Sequence, residues 1–269
     1  MPYLNSVPFY NGFSGYSNNV KLAPLAPHAF GQLAKQGSVA AGPMSLRDYM
    51  SMSDDFERLD YGVAVKGKAN SVLLFSKYDW KDLAGKRIGI TSETSTSVEL
   101  LRLLLEKRHG ITDYTFQRIN RIYQSDSDFD AVLLIGDGAL SSAYGGGLPG
   151  FDGVFDLAEE WCAWKAMPFV FAVWAIRKGT PEAARTEIID SLERSLQNAA
   201  GNYGELGREH GARLGMSVSE VSDYLSQFRY RFSIDEHAAM AEFEMEYESL
   251  GKMEMRSTLK DEYAGQIRD

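Results

Sequence analysis

Short apolar runs alternate with amphipathic stretches along most of the chain. This pattern restricts the fold to an α/β arrangement, because neither an all-β nor an all-α chain needs both periods in turn. Val72 to Phe75, Arg87 to Ile90, Ala131 to Ile135 and Phe169 to Ile176 read as buried strands. Thr96 through Arg108 reads as a helix, with Val98, Leu100, Leu101, Leu104 and Leu105 on a broad apolar face. Thr96 and Glu99 have the spacing of a capping box, Lys107 and Arg108 complement the negative end of the dipole, and Gly110 suits the left-handed turn beyond it. Pro181 to Gln197 predicts a second long helix, carried by Ile188, Ile189, Leu192 and Leu196, and Val218 to Phe228 is a third apolar-periodic region.

Two features divide this pattern into lobes. Ser71 to Lys77 is a strand followed at once by a polar connection and the short turn Asp82 to Arg87, and the run Phe169 to Ile176 ends in Arg177-Lys178-Gly179. Taken as two chain crossings, they leave 1–77 with 169–269 as a discontinuous first lobe and 78–168 as an inserted second lobe, with a ligand cleft between them. A chain of 269 residues, 44% of them hydrophobic, supplies core enough for two lobes. Gly145 to Gly150 is too glycine-rich for a regular element, and no Lys-Ser or Lys-Thr follows to make it a phosphate loop. Beyond Gly251 the chain is polar and mixed in charge, as in a frayed helix or a tail.

Charge and motif content exclude several function classes. A formal net charge of −9 argues against a general nucleic-acid surface, and an anionic ligand would need local donors. No apolar stretch is long enough to cross a bilayer and no leader pattern opens the chain, so no membrane partner and a cytoplasmic location are expected. The single cysteine, Cys162, cannot form an internal disulfide, and its place between Trp161 and Trp164 predicts burial. His28, His109, His210 and His237 are scattered without metal-binding spacing, and no nucleophile elbow, dinucleotide fingerprint or kinase motif occurs.

Candidate chemistry lies where polar residues interrupt this apolar pattern. In Tyr3-Leu4-Asn5-Ser6-Val7-Pro8-Phe9-Tyr10, the pair Asn5 and Ser6 sits where a strand gives way to a helix, either facing a cleft or acting as an ordinary cap. Thr91 to Ser97 gathers hydroxyls and free backbone N–H groups at a helix N-terminus, which can bind a carboxylate or simply cap the helix. Lys66 and Lys68 can add charge to the same cleft or remain surface lysines, and Asp137 at the carboxyl end of a strand can shape a site or cap a turn. Trp161, Trp164 and Trp174 can line a pocket or fill the core.

Six segments together carry a resemblance. Tyr3 to Phe9, Gly42-Pro43-Met44-Ser45, Asn70 to Ser76, Thr94 to Leu101, Leu134-Ile135-Gly136-Asp137 and Met167 to Ala175 occur in an order that resembles the chorismate dehydratase family of the futalosine route to menaquinone. The likeness runs from residue 3 to about residue 235. It implies a two-lobed fold like the periplasmic binding proteins of type II. It also implies loss of water from chorismate to give 3-[(1-carboxyvinyl)oxy]benzoate, with no cofactor, because aromatisation of the ring drives the step. Carried over by motif, Asn5 and Ser71 are the catalytic positions, while Ser45, Thr94, Ser95, Thr96 and Asp137 bind substrate, and a carboxylate of the substrate itself serves as base.

Two departures accompany the likeness. Relatives carry a strand of the type Arg-Val-Gly-x-Ile before Tyr-Leu-Asn where this sequence opens at Met1-Pro2, so a central strand of the first lobe is expected to be missing. Lys66-Gly67-Lys68-Ala69 replaces an acidic residue followed by Gly-Pro-Val. The alternatives are a solute-binding protein of the same fold, and the sibling enzyme that cleaves cyclic dehypoxanthine futalosine. The sibling's opening pattern, Cys-Pro-Asn-Asp-Thr, differs from Leu4-Asn5-Ser6-Val7-Pro8.

Overall fold

All four apolar runs form strands, and they divide between two sheets. The computed structural model describes residues 3–11, 20–23, 29–91, 95–119 and 128–265. The first sheet has the order β1-β8-β2-β9, where β1 is Ala41–Ser45, β2 Phe56–Val65, β8 Phe169–Arg177 and β9 Phe228–Arg231. Every pair in it is antiparallel. Pro43 sits opposite Trp174 in β1 at the edge of this sheet, where a missing N–H leaves no gap in an inner ladder. The second sheet has the order β5-β4-β6-β3-β7, where β3 is Val72–Ser76, β4 Lys86–Thr91, β5 Tyr114–Ile119, β6 Ala131–Ile135 and β7 Gly153–Asp156. Its β4 pairs parallel with β5 and β6, and β3 pairs antiparallel with β6 and β7.

This pairing moves the first crossing upstream of the expected position. The boundary at residue 77 places Val72–Ser76 in the first lobe, yet its partners are Ala131–Ile135 and Gly153–Asp156 of the second sheet. All five residues of β3 are buried, so the sequence registers burial on both faces without saying in which sheet. The chain therefore passes between sheets at 66–71 and returns at 166–168. Each crossing contains a residue with left-handed backbone, Asn70 at φ 56° and Ala166 at φ 57°, and these are the only non-glycine residues of that kind among those described.

Helices cover both sheets. They are α1 (Ala29–Lys35), α2 (Leu46–Met50), α3 (Thr96–Leu103), α4 (Gly136–Tyr144), α5 (Leu157–Lys165), α6 (Glu182–Ala200), α7 (Tyr203–His210), α8 (Val218–Ser226) and α9 (Ile234–Gly265). The apolar face expected for Thr96 to Arg108 is continuous, but its last part, Leu104–Arg108, is a π-helical turn ending before Gly110 at φ 70°. The expected Thr96–Glu99 capping box does not form. Ser95 is the N-cap, without a side-chain cap, and the Thr96 hydroxyl accepts instead from the Arg47 N–H at 3.0 Å. Among the described residues no helix is long and apolar enough to cross a membrane.

Aromatic packing joins the N-terminal segment to this frame. Leu4–Tyr10 forms a 3-10 helix whose Phe9, wholly buried, meets Trp174 of β8 at 5.7 Å and Tyr230 of β9 at 5.5 Å, both edge-on. Burial of a side chain of this size is worth roughly 1.5–3 kcal/mol, ample to fix one short helix against the sheet.

Candidate functional site

A cavity of about 640 Å³, lined by strands and helices of both sheets, has a size suited to a small-molecule ligand. Asn5, Ser6, Ser45, Ser71, Ser95 and Thr96 bring polar groups to its wall, and Tyr10, Phe30, Phe171 and Trp174 line it with aromatic surface. Five of the seven sequence-predicted site residues thus share one cavity, from segments far apart in the chain.

The local fold explains how each arrives. Pro8 inside Leu4–Tyr10 has no N–H to give to an α-helical ladder, and the segment takes the tighter 3-10 form, with Ser6 N–H bonded to Tyr3 O at 2.9 Å. Leu4, Val7, Pro8 and Phe9 are buried, which leaves Asn5 and Ser6 on the cavity side. The Ser6 hydroxyl donates to Asn5 Oδ1 at 3.2 Å. Ser45 is the N-cap of α2, where its Oγ accepts from the Asp48 N–H at 3.1 Å. The same oxygen lies 2.6 Å from Ser95 Oγ, and with the Arg47–Thr96 bond it ties the start of α2 to the start of α3 across the cleft. Ser95, Thr96 and Ser97 place the positive end of the α3 dipole at the wall. Thr94, the remaining residue expected there, lies outside the described residues.

Ser71 closes the first crossing and is 1% exposed. Its carbonyl accepts from the Gly136 N–H at 2.7 Å. Gly136 must be glycine: its φ is 58°, and a Cβ there would stand 2.5 Å from the Tyr3 ring. The Ser71 hydroxyl donates to Ala69 O at 3.2 Å and accepts from the buried Tyr224 phenol at 2.9 Å.

The wall is largely neutral. Among the described residues its charged side chains are Lys21 and Asp48, of opposite sign, so hydroxyls, an amide and helix N–H groups are the main donors. Burial pushes the Tyr10 phenol up to about 12, which keeps it protonated at neutral pH.

Other expectations fall elsewhere. Asp137 is not in the cavity wall: its Oδ1 accepts from the Leu4 N–H at 2.8 Å and its Oδ2 from Arg213 at 2.6 Å. It links α4 to the helix that carries Asn5. Lys66 and Lys68 are exposed and outside the wall, and Lys68 pairs with Glu159. Cys162 is half-buried and not enclosed as expected, while Trp161 is core, Trp164 packs on it and Trp174 faces both core and cavity. Sequence reasoning missed Tyr10, Arg213 and Tyr224. Tyr224 sits within the apolar-periodic stretch Val218 to Phe228, and its hydroxyl on a core-facing position was the available signal.

The profile of a family described as menaquinone biosynthesis matches residues 1–248. The chain belongs to that family. A chorismate dehydratase of Thermus thermophilus is 30% identical over 261 residues, covering 90% of this chain and 94% of that one. This family member also resembles a protein of known structure from Archaeoglobus fulgidus, with a TM-score of 0.74 at 19% identity over 93% of this chain and 95% of the other. The periplasmic aliphatic sulphonate binding protein SsuA of Escherichia coli aligns with a TM-score of 0.57 at 14% identity over 86% and 76% of the two chains. The two-sheet frame is thus the two-lobed α/β fold of the periplasmic binding proteins, as the resemblance implied.

Proposed function

We propose that this protein removes water from chorismate to give 3-[(1-carboxyvinyl)oxy]benzoate, as a carbon–oxygen lyase of menaquinone formation. The observation that carries the reading is that Asn5 and Ser71 face one cavity with hydroxyls at a helix N-terminus, in a chain 30% identical to a chorismate dehydratase. Chorismate presents two carboxylates, a C3 hydrogen and a C4 hydroxyl on a ring one double bond short of aromatic. The C3–H bond gives its electron pair to the ring and its proton to a base, while the C4–O bond breaks and the oxygen departs, with a proton, as water. Aromatisation supplies the driving force.

The site residues predicted from the sequence that line the wall have roles in this scheme. Ser95 and Thr96 at the start of α3, with Ser45 opposite and Thr94 beside them in sequence, hold a substrate carboxylate by hydroxyl and N–H donors without needing a cation. The Asn5 amide orients the ring and stabilises charge as it develops. Ser71 hydrogen-bonds the departing C4 oxygen. Neither side chain is a strong base at neutral pH, so the second carboxylate of the substrate, held over C3, takes the proton. Aromatic side chains in the wall, Phe171 and Trp174, suit a planar product.

The experiment is incubation of the purified chain with chorismate, followed by mass spectrometry and ultraviolet absorption. A product lighter by one water with a benzoate-type spectrum is expected. Chorismate that binds but stays intact would make the chain a solute receptor, and cleavage of cyclic dehypoxanthine futalosine instead would make it the sibling enzyme.

A further inference from the structure

We infer that Tyr224 is a positioning residue for this elimination, acting through the hydroxyl of Ser71. The inference rests on the role proposed above for Ser71. Tyr224 lies on the inner face of α8, 2% exposed, with its ring edge-on to Phe228 at 5.0 Å. The core needs that ring, and phenylalanine would supply it. What phenylalanine would lack is the O–H that donates to Ser71 Oγ at 2.9 Å.

A serine hydroxyl has one proton to give and two lone pairs to receive. In Ser71 one lone pair is held by Tyr224 and the proton rests on Ala69 O at 3.2 Å. That carbonyl has a second donor, Gln227 Nε2 at 3.0 Å, and Gln227 is held in turn by the Asn70 amide, whose Nδ2 donates to its Oε1 at 3.0 Å. The Ser71 proton can therefore swing from Ala69 O to a ligand oxygen without leaving a buried carbonyl bare. Once it points at a departing oxygen, charge builds on Ser71 Oγ, and a donor already aimed at that atom stabilises it. Burial holds the Tyr224 phenol well above its ordinary range, so Tyr224 remains the donor at every working pH. The end of α8 thus aims the Ser71 hydroxyl and sharpens it as a hydrogen-bond donor.

A purely structural reading makes Ser71 just the partner that a buried phenol requires. Kinetics with chorismate separate the two. Tyr224→Phe is expected to lower kcat about tenfold with KM within about twofold, the effect of one hydrogen bond made stronger in the transition state. In a Ser71→Ala background the same change should have no further effect on kcat. Gln227→Met, which leaves Ser71 as the sole donor to Ala69 O, should likewise lower kcat only while Ser71 is present; it carries the test if Tyr224→Phe does not fold. Wild-type kcat in Tyr224→Phe, or an equal loss with and without Ser71, would overturn the inference while Ser71→Ala remains impaired. A fully active Ser71→Ala would overturn the role of Ser71 itself, and the inference with it.

Discussion

Ala166 caps α5 with its N–H on Cys162 O at 2.8 Å and a left-handed backbone, at the point where the chain returns to the first sheet. For a residue with a Cβ that conformation costs roughly 1–2 kcal/mol, whereas glycine adopts it freely and loses some 0.5–1 kcal/mol through its looser unfolded state. Ala166→Gly is therefore expected to stabilise the fold by about 0.5–1 kcal/mol in denaturant unfolding; a lower midpoint would contradict this. Asn70, at the other crossing, has the same backbone but is held differently. Its backbone N–H donates to Asp156 at 2.6 Å and its side-chain amide to Gln227 at 3.0 Å, so glycine there would keep the first bond but lose the second along with the strain. The place of Asn5 in the cavity wall was legible from a polar pair in an apolar segment, while Ser71 was reached only through the family resemblance. Tyr224 was reached by neither, because its hydroxyl has meaning only beside Ser71, which lies 153 residues away.

At the scale of elements, the 3-10 helix Leu4–Tyr10 depends on Asp137 of α4 for its first N–H. Replacing Asp137 by Ala strands that half-buried N–H and frees Arg213, a loss of about 1–3 kcal/mol, and kcat should fall because Asn5 sits one residue further along. Unchanged stability and kcat would count against the link. Four of the nine described strands and the helices α3 and α6 could be read from periodicity, and the carboxyl-end position of Asp137 could be read too; β1, β2, β5, β7, β9 and α9 could not. Its partners could not, since both belong to other parts of the chain and are set by packing alone.

The α6 helix is fastened to the first sheet by charge. Arg231 donates to Glu193 at 2.9 and 2.8 Å, and Tyr61 donates at 3.2 Å. Arg231 foremost, with help from Gln197 and Tyr61, holds the Glu193 carboxyl at about 2 against an ordinary 4.5. A carboxyl lowered on folding adds stability that is complete above 4.5 and lost as the pH falls toward 2. Glu193→Gln should thus flatten the acid limb of the stability profile in that window. At neutral pH the half-exposed pair is screened by water, and the loss should stay below about 1 kcal/mol. An unchanged acid limb would contradict the assignment.

At the scale of the whole molecule, the proposed function requires a chain of net charge −9 to bind a dianion in a cavity whose charged side chains among the described residues, Lys21 and Asp48, offset one another. The proposed solution is local: hydroxyls and N–H groups at the starts of α2 and α3, which meet across the cleft through Ser45, Ser95, Arg47 and Thr96. The two-lobed outline was legible from alternating patterns and two crossings, while the membership of β3 was not, since an all-apolar strand fits either sheet. The central claim is that chorismate loses water between these lobes, at Asn5 and Ser71. The most direct test is to follow chorismate turnover by absorbance for the wild-type chain, Asn5→Ala and Ser71→Ala side by side, with chorismate binding measured for each. Turnover by the wild type, with kcat falling about a hundredfold or more in both variants while binding persists, is the expected result. Intact chorismate in all three, or equal turnover in all three, would contradict it.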